Sequence, residues 1–212
     1  EPHGMLLVKT PVVKEFGLQT GEAIWPVRQK CPDLSGVPPD YALYIRVSRR
    51  MRMLYEEYSD RVESFGLDEA WIDLTNPGLT IRDGERIAHE IRLRVKRELG
   101  ITVSVGVSFN KIFAKLGSDM KKPDAVTTLP RDDWKGRIWP LPVSELLYVG
   151  PATTRKLMSR NILTIGDLAK LPPELLHGWF GKNGIGIWRL PNGADNSSVM
   201  KNTTEDTTQP RR

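Results

Sequence analysis

Residues 62–75 read Val-Glu-Ser-Phe-Gly-Leu-Asp-Glu-Ala-Trp-Ile-Asp-Leu-Thr. After Glu69, the residues Ala, Ile and Leu alternate with Trp, Asp and Thr, which predicts a strand. Gly66 interrupts the pattern and permits a bend, because glycine adopts backbone angles that other residues avoid. The acidic pair Asp68–Glu69 is therefore predicted to stand at the start of a strand, directly after a break in the chain.

An adjacent Asp–Glu pair has two interpretations. Alone, it is most often a solvated surface turn. Buried side by side, the two carboxylates of Asp68 and Glu69 would repel each other, and a divalent cation would relieve that repulsion. Mg²⁺ prefers hard oxygen ligands and usually takes one or two carboxylates together with substrate phosphates. Successive side chains of a flat strand point to opposite faces, so both reach one metal only if the chain bends.

The segments around this pair predict an alternation of helices and strands. Apolar residues recur every three or four positions after Asp40, which is typical of an amphipathic helix. The predicted elements that follow are a helix over Arg82–Leu99 that stops at Gly100, a strand over Ile101–Val107, a helix over Asn110–Met120 and a strand over Ala125–Leu129. This order predicts an α+β fold whose sheet carries helices on one face.

Beyond Pro130 only short helices are predicted, which indicates a second, small domain. Thr164-x-x-Asp167 has the pattern of a capping box that opens a helix over Ile165–Leu171. Pro172-Pro173 opens another helix, which runs through Phe180. The segment 181–186, Gly-Lys-Asn-Gly-Ile-Gly, superficially resembles a phosphate loop, but it lacks the spacing and the preceding strand, so a turn between helices is predicted there.

The charge composition indicates which class of partner the protein binds. The chain has 31 Lys and Arg against 26 Asp and Glu, a net charge of +5, and a pI near 9.3. Residues 130–194 carry nine basic and five acidic side chains, whereas residues 1–40 carry four and five. A modest basic excess fits a polyanionic partner such as nucleic acid, although many proteins without such a partner are also basic.

The compartment is predicted from cysteine use and hydropathy. A single cysteine, Cys31, excludes an internal disulfide and a multi-cysteine zinc site. The sequence has no stretch of eighteen apolar residues and no visible signal peptide. These observations predict a cytosolic protein without a membrane partner.

Two long segments, in the right order, resemble the palm motifs of Y-family translesion DNA polymerases. Phe65–Thr75 resembles the catalytic motif, whose usual form is S-I-D-E-A-Y-L-D-x-T. Ile101–Pro123 resembles the second motif, V-S-V-G-V-S-x-N-K-x-x-A-K-L-x-S-D-x-x-K-P. The resemblance implies an α+β palm, with a mixed or antiparallel sheet and helices on one face, and a small all-α thumb with a helix-hairpin-helix.

The resemblance also implies a domain order. Residues 1–39 correspond to part of the fingers, 40–130 to the catalytic palm, 131–195 to the thumb, and 196–212 to a linker toward a little-finger domain that is missing from this sequence. The family's first strand, which bears a third metal-binding aspartate and precedes an aromatic gate against ribose, is expected ahead of Gly4 and is absent from these residues.

The implied reaction is error-prone, template-directed DNA synthesis past damage, in which a primer 3′-hydroxyl attacks a deoxynucleoside triphosphate. By resemblance, Asp68 and Glu69 are catalytic and hold two Mg²⁺ ions, for which Mn²⁺ can substitute. Lys122 and Lys14 hold the triphosphate. The match is imperfect, since Pro11 stands where the family has a tyrosine that contacts the triphosphate, and Lys14 stands where it has an arginine.

Leu147–Leu157 resembles the thumb hairpin that binds primer–template DNA, including damaged DNA. The resemblance implies that backbone amides near the start of its second helix face a DNA phosphate, with two basic side chains beside them. The implied DNA-binding residues are Val149, Gly150, Ala152, Thr153, Arg155 and Lys156. Tyr148 stands where the family usually has glycine, so this loop is predicted to be less open to phosphate.

The remaining expectations concern the whole protein and its rival interpretation. A monomer is expected in the bacterial cytoplasm, at the nucleoid when acting, and sliding-clamp contact is expected only through a C-terminal region outside this sequence. The 212 residues alone are expected to be inactive. The alternative function is a non-catalytic protein or fragment that only binds primer–template DNA, and the reading frame upstream of Glu1 discriminates between the two.

Overall fold

The computed structural model describes residues 4–8, 13 and 15–201. The expected triphosphate contact Lys14, and Pro11 beside it, lie outside the described residues. The chain divides into two compact units, Glu1–Tyr41 and Ala42–Arg212. Among the described residues, no helix is both long and apolar enough to cross a membrane.

The first unit is built around helix α1, Ile24–Lys30. An antiparallel bridge joins Met5 to Ala23, and the amide of Leu6 donates to the carbonyl oxygen of Glu22 at 2.8 Å. Val27 is fully buried within this small unit.

The second unit contains two pairs of strands and a series of helices. Its elements, in chain order, are α2 (Tyr41–Glu56), β1 (Val62–Ser64), β2 (Ala70–Ile72), α3 (Ile81–Leu99), β3 (Val105–Ser108), α4 (Lys111–Met120), β4 (Val126–Leu129), α5 (Trp134–Ile138), a 3₁₀ turn (Val143–Glu145), α6 (Pro151–Met158), α7 (Ile165–Ala169), α8 (Pro173–Phe180), α9 (Lys182–Arg189) and a 3₁₀ turn (Leu190–Asn192). This mixture confirms the predicted α+β class.

Helices α2 and α3 share one hydrophobic cluster. It comprises Met51, Leu54, Tyr55, Val62, Ile91 and Val95. Burial raises the pKa of Tyr55 to about 12. Helix α3 begins at a capping box formed by Thr80 and Asp83 and ends at Gly100, whose φ of 70° is the left-handed conformation that glycine supplies. The predicted helix and its stop at Gly100 are therefore confirmed.

The strands form two separate pairs. β1 and β2 are antiparallel, with Glu63 opposite Trp71. β3 and β4 are parallel, from Val105 opposite Val126 onward. The strand predicted from Ile101 begins only at Val105, because β4 offers no partner before that register. Residues 101–104 carry the β-branched pattern of a strand without a ladder partner within the described chain.

A cleft of about 1150 Å³ lies between the two strand pairs, which share no ladder hydrogen bonds within the residues described. Residues 70–76 line one side and residues 101–111 the other, and side chains from α2, α3 and α4 also line it. Each pair therefore presents a strand edge to an open cleft.

The C-terminal helices pack into one cluster with α4. This cluster runs from Ile112 and Phe113 of α4 to Leu190. The capping box predicted at Thr164 and Asp167 is present, and it opens α7. The predicted boundary at residue 130 is not marked by a break in this cluster, so the palm–thumb division stays a prediction.

The turn predicted at residues 181–186 is wrong, because residues 182–186 form the first part of α9. Gly181 alone is the turn, with a φ of 62°. A β-carbon at Gly184 would lie 2.0 Å from the carbonyl oxygen of Leu176. The glycine therefore lets α9 pack against α8, and it signals close helix packing, not a loop.

Candidate metal and phosphate site

A tight hairpin turn presents the acidic pair, with Asp68 in its three-residue loop and Glu69 at the first position after the loop. The amide of Phe65 donates to the carbonyl oxygen of Glu69 at 2.8 Å and closes the hairpin before β2. Gly66, inside the loop, has a φ of 84°, so the bend that the sequence allows is present. Asp68 is exposed and Glu69 is half-buried, and both line the cleft. Their simultaneous approach to one metal stays a prediction.

Helix α4 and the residues that follow it bring Lys115 and Lys122 to the same cleft, and Asp119 pairs with both lysines. The side chain of Asn110 accepts from the amide of Phe113 at 2.8 Å and caps the helix start. Lys115 and Asp119 are four residues apart and therefore share a face. Lys122 follows two residues after the helix ends at Met120. Helix α4 and the two residues after its end thus position three charged side chains in a fixed order.

These groups form a continuous chain of ion pairs with the hairpin, which we call the four-charge chain: Glu69, Lys115, Asp119 and Lys122. Lys115 Nζ lies 2.9 Å from Glu69 Oε1 and 2.7 Å from Asp119 Oδ2. The other oxygen of Asp119, Oδ1, lies 2.6 Å from Lys122 Nζ. Each inner member therefore has two partners of opposite charge.

The ionised forms of the inner members are stabilised. Burial opposes the charge of Lys115, but its hydrogen bonds to Asp119 and Glu69 outweigh burial and raise its pKa above the ordinary value. Burial likewise opposes the charge of Asp119, and the hydrogen bonds from Lys115 and Lys122 outweigh it and lower its pKa. Both groups carry full charge at neutral pH.

The donor set fits a divalent cation with substrate phosphates. Asp68 and Glu69 supply hard carboxylate oxygens, and the Lys115 ammonium already lies where a cation would neutralise Glu69. Asp73, the third acid of the motif, is committed elsewhere: it accepts the Thr75 amide and pairs with Arg61 at 2.9 Å. Among the described residues, no group of three or more His, Cys, Asp and Glu side chains could hold a metal.

Sequence reasoning missed Lys111, which fastens α4 to the hairpin. Its Nζ lies 2.8 and 2.7 Å from the two carboxylate oxygens of Glu63 and 4.5 Å from the centre of the Trp71 ring. The Trp71 indole donates to the carbonyl oxygen of Lys111 at 3.0 Å. The available signal was a charged residue at the helix start beside an otherwise apolar face.

The segment after the last 3₁₀ turn contacts the same hairpin and the start of α4. The Met200 amide donates to Glu63 Oε2 at 2.7 Å, and Lys111 Nζ donates to the carbonyl oxygen of Ser198 at 3.4 Å. We call residues 195–201 the return segment. Its residues 195–199 line the cleft with the acidic pair.

The predicted DNA-binding hairpin surrounds the start of α6. Gly150 caps the helix without a side-chain bond and Pro151 is its first residue. Ala152 and Arg155 are exposed, Thr153 is half-buried and Val149 is buried. The first amides of a helix have no acceptor within it, so those of Ala152 and Thr153 are available to an external acceptor.

The two predicted basic contacts differ in their surroundings. Lys156 Nζ donates to the carbonyl oxygen of Trp179 at 2.6 Å and lies 4.8 Å from the centre of the Phe180 ring. Arg155 makes no ion pair within residues 15–201. Lys156 therefore joins α6 to α8, whereas Arg155 has no comparable structural partner there.

Comparison with known proteins gives one matching family and relatives that share one name. The impB/mucB/samB (IMS) family matches residues 1–119. A DNA polymerase IV of Acetivibrio thermocellus is 52% identical over 203 residues, which are 96% of this chain and 51% of that protein. A DNA polymerase IV of Clostridium acetobutylicum is 38% identical over 94% of this chain and 50% of its own length.

Solved structures share the fold. A Y-family polymerase chimera, Dbh-Dpo4(243-245)-Dbh, superposes with a TM-score of 0.87 over 96% of this chain and 60% of its own, at 24% identity. DinB from Sulfolobus solfataricus superposes with a TM-score of 0.82 over 89% of this chain and 56% of its own, at 25% identity. The chain spans about half the length of the curated relatives it matches.

Proposed function

We propose, from the premise that this chain belongs to the impB/mucB/samB family of Y-family DNA polymerases, that its parent protein carries out error-prone, template-directed DNA synthesis across damaged DNA. In this proposal residues 1–39 are part of the fingers, 40–130 the palm, 131–195 the thumb and 196–212 a linker. The observation that carries it is the acidic pair Asp68–Glu69, which the hairpin holds at the cleft and whose Glu69 is paired with Lys115 of α4.

The chain's own residues perform three tasks in this reaction. Asp68 and Glu69 hold the divalent cations, and the exposed Lys122 binds the triphosphate as a point charge. Lys14 is proposed as a second triphosphate contact. Bound Mg²⁺, or Mn²⁺ in its place, supplies electrostatic stabilisation of the attacking and leaving oxygens. Hairpin closure between Phe65 and Glu69 keeps the acidic pair in one orientation, so its position does not depend on the substrate.

The open cleft supports a third carboxylate from outside these 212 residues. Two strand edges, those of β2 and β3, face it without ladder partners among the described residues. A strand inserted between them would pair with both edges and complete one sheet. We propose that this strand bears the additional metal ligand that Asp68 and Glu69 alone do not supply.

The thumb is proposed to hold the primer–template duplex through its phosphates. The amides at the start of α6, from Gly150, Ala152 and Thr153, and the Arg155 side chain form the proposed contact, beside Val149. Phosphate contacts position a protein on DNA without reading its sequence. Lys156 is proposed as a weaker contributor, because its ammonium is engaged by α8.

Primer extension tests the proposal. The 212-residue chain is compared with a chain extended at both ends and with the Asp68→Ala form of the extended chain, each with Mg²⁺ and with Mn²⁺. Extension by the longer chain, and its loss with Asp68→Ala, is expected. Asp132→Ala, which removes an acid from the same cleft, is the matched control and should retain extension.

Three outcomes separate the candidate functions. Extension that survives Asp68→Ala would show that the acidic pair is misassigned. Strong extension by the 212 residues alone would contradict the need for a third carboxylate. Duplex binding by the longer chain without extension would favour the alternative, a non-catalytic primer–template DNA-binding protein.

The parent protein is further proposed to act as a monomer at the bacterial nucleoid in the cytoplasm, with damaged primer–template DNA and deoxynucleoside triphosphates as its partners. Sliding-clamp contact is proposed only for polypeptide outside this sequence. Gel filtration of the longer chain, alone and with a clamp, tests both points, and a stable dimer would contradict the first.

A further inference from the structure

We infer that Lys115 is a resident cation of the acidic site, which neutralises Glu69 in the absence of metal and transfers to Asp119 when a metal binds. Asp119, whose second oxygen holds Lys122, then links metal binding at Glu69 to phosphate binding at Lys122. This inference rests on the proposed function and adds two positioning residues, Lys115 and Asp119, that touch neither substrate nor metal.

The geometry permits the transfer without a large movement. Lys115 Nζ is bonded at once to Glu69 Oε1, at 2.9 Å, and to Asp119 Oδ2, at 2.7 Å. A metal at Glu69 would repel the ammonium, and the ammonium would keep its bond to Asp119. Lys115 is only 17% exposed, so water cannot easily replace a lost carboxylate partner, and Asp119 is needed as the acceptor.

The second oxygen of Asp119 provides the link to phosphate. Lys122 Nζ lies 2.6 Å from Asp119 Oδ1 and is 56% exposed, so it can turn toward an anion in solution. When Lys122 pairs with a phosphate, Asp119 retains Lys115 as its main partner and attracts it more strongly. Glu69 is then freer to bind metal. Linkage requires the reverse effect to be equal, so metal at Glu69 strengthens phosphate binding by the same factor.

A fixed structural ion-pair network predicts different behaviour. If the four-charge chain only held α4 against the hairpin, removing any member would weaken the site, and every variant would change metal affinity in the same direction. Transfer of Lys115 predicts that the variants change the metal affinity in opposite directions. Loss of Lys115 removes a competitor of the metal, whereas loss of Asp119 leaves Lys115 wholly on Glu69.

The test is a Mn²⁺ titration of the chain extended at both ends, with free Mn²⁺ measured by electron paramagnetic resonance. Asp68→Ala identifies the binding event that belongs to the acidic pair. Lys115→Met should tighten that event about three- to tenfold, and Asp119→Asn should weaken it by a similar factor. Lys121→Met and Asp132→Asn are matched controls, because each removes one charge near the site from a residue outside the four-charge chain.

Three further variants test the mechanism. In the Lys115→Met background, Asp119→Asn should have no more effect than Asp132→Asn, because Asp119 acts through Lys115. Lys122→Gln imitates the departure of Lys122 toward phosphate and should tighten Mn²⁺ binding more than Lys121→Gln does. Lys115→Arg restores the charge and should bind Mn²⁺ no more tightly than the unaltered chain, and thermal melting checks that each variant is folded.

The outcomes are distinct. Equal effects of Lys115→Met and Lys121→Met, or an Asp119→Asn effect that persists without Lys115, would overturn the transfer while leaving the metal site intact. Mn²⁺ binding that ignores Asp68→Ala, or an absence of measurable binding, would overturn the metal assignment of the acidic pair and the transfer with it.

Discussion

Tyr148 adopts a backbone conformation that favours glycine. Its φ is 69°, and its side chain is 63% exposed, so packing does not explain the residue. A residue with a β-carbon in the left-handed region is destabilised by about 1–2 kcal/mol. Replacement by glycine removes this strain, but glycine loses more conformational entropy on folding, which offsets about 0.5–1 kcal/mol of the gain. Glycine would therefore be less strained than tyrosine at this position.

We predict that Tyr148→Gly raises the free energy of unfolding by about 0.5–1 kcal/mol, since it removes the backbone strain. Urea denaturation measures the change. Tyr148→Ala is the matched control, because it removes the ring but keeps the β-carbon, and it should give no such gain. Equal stabilisation by both variants would show that the ring, not the backbone, was unfavourable.

Asp167 couples the start of α7 to pH. Hydrogen bonds from the backbone and side chain of Thr164 hold the pKa of this carboxyl below its ordinary value of 3.8. A carboxyl whose pKa is lower in the folded state stabilises the fold above its unfolded pKa, and that contribution is lost as the pH falls through the folded value.

Asp167→Asn is therefore predicted to lower stability at pH 7 by about 0.5–1 kcal/mol, the usual effect of an impaired helix cap. The difference from the unaltered chain should shrink as the pH falls below about 4, and thermal melting across pH 3–7 measures it. A stability difference that is constant over this range would contradict the assignment of the effect to the carboxylate charge.

At the scale of elements, the contact between α4 and β3 depends on the absence of a side chain. A β-carbon at Gly106 would lie 1.8 Å from the carbonyl oxygen of Ala114 and 2.6 Å from the amide nitrogen of Ser118. Both are backbone atoms, so neither can rotate away. Helix α4, which carries the charged side chains of the site, packs directly on the strand for this reason.

Gly106→Ala is predicted to destabilise the chain by about 3 kcal/mol or more, because α4 must move away from β3. The matched control is Gly136→Ala in α5, where the nearest atom to a new β-carbon, Asp133 Oδ1, is 3.7 Å away. That change should be neutral or stabilising by up to about 1 kcal/mol. Denaturation midpoints of the two variants provide the comparison, and similar values would refute the close-contact argument.

The return segment is held by the bond from the Met200 amide to Glu63, by the bond from Lys111 to the Ser198 carbonyl oxygen and by an exposed ion pair between Lys201 and Asp60. We predict that Glu63→Gln accelerates amide exchange at Met200 by about tenfold, because a charge-assisted bond becomes neutral. Asp60→Asn is the control: its pair with Lys201, at 3.5 Å, has both side chains more than two-thirds exposed, and such pairs contribute little. Exchange mass spectrometry reads both, and equal acceleration would mean that Glu63 is not the anchor.

The sequence predicted local elements better than the contacts between them. The capping boxes and the Gly100 stop depend on neighbours within a few residues, so they can be read from the chain. Residues 101–104 lack a ladder partner in the part of the chain that the structure describes, and a β pattern alone cannot reveal a missing partner. The glycines at 181–186 were misinterpreted because Gly184 is required by a neighbouring helix, which local spacing does not encode.

At the scale of the whole molecule, measurements of duplex binding test whether Arg155 and Lys156 have different roles. Arg155→Ala in the chain extended at both ends is predicted to weaken primer–template binding similarly for all sequences and to reduce the salt slope by about one. Fluorescence anisotropy at several salt concentrations measures both. A loss confined to one DNA sequence would instead indicate base readout.

Lys156→Ala is the informative comparison for that experiment. It should lower the thermal stability of the chain more than Arg155→Ala does, because it removes the bond from α6 to Trp179 and the contact with Phe180. If both variants left stability unchanged and weakened DNA binding equally, Lys156 would be a phosphate contact of the same kind as Arg155.

The sequence named several residues of the candidate site, but it did not reveal the ion pairs that join them. Asp68, Glu69 and Lys122 were implied by the resemblance to the two palm motifs. Lys115 and Asp119 were not, since i,i+4 pairs on helices are common and usually solvated. Their importance appears only when the hairpin brings Glu69 to Lys115, a contact between residues 46 positions apart in the chain.

The contacts of Lys111 also favour one strand register over its neighbours when the hairpin folds. Glu63 and Trp71 face each other across the ladder, and Lys111 contacts both. A slip of one residue would turn one of these side chains to the opposite face of the sheet and break the shared contact. Lys111 thus selects one register among the neighbouring ones, and with it the place where the chain turns and leaves Asp68 exposed.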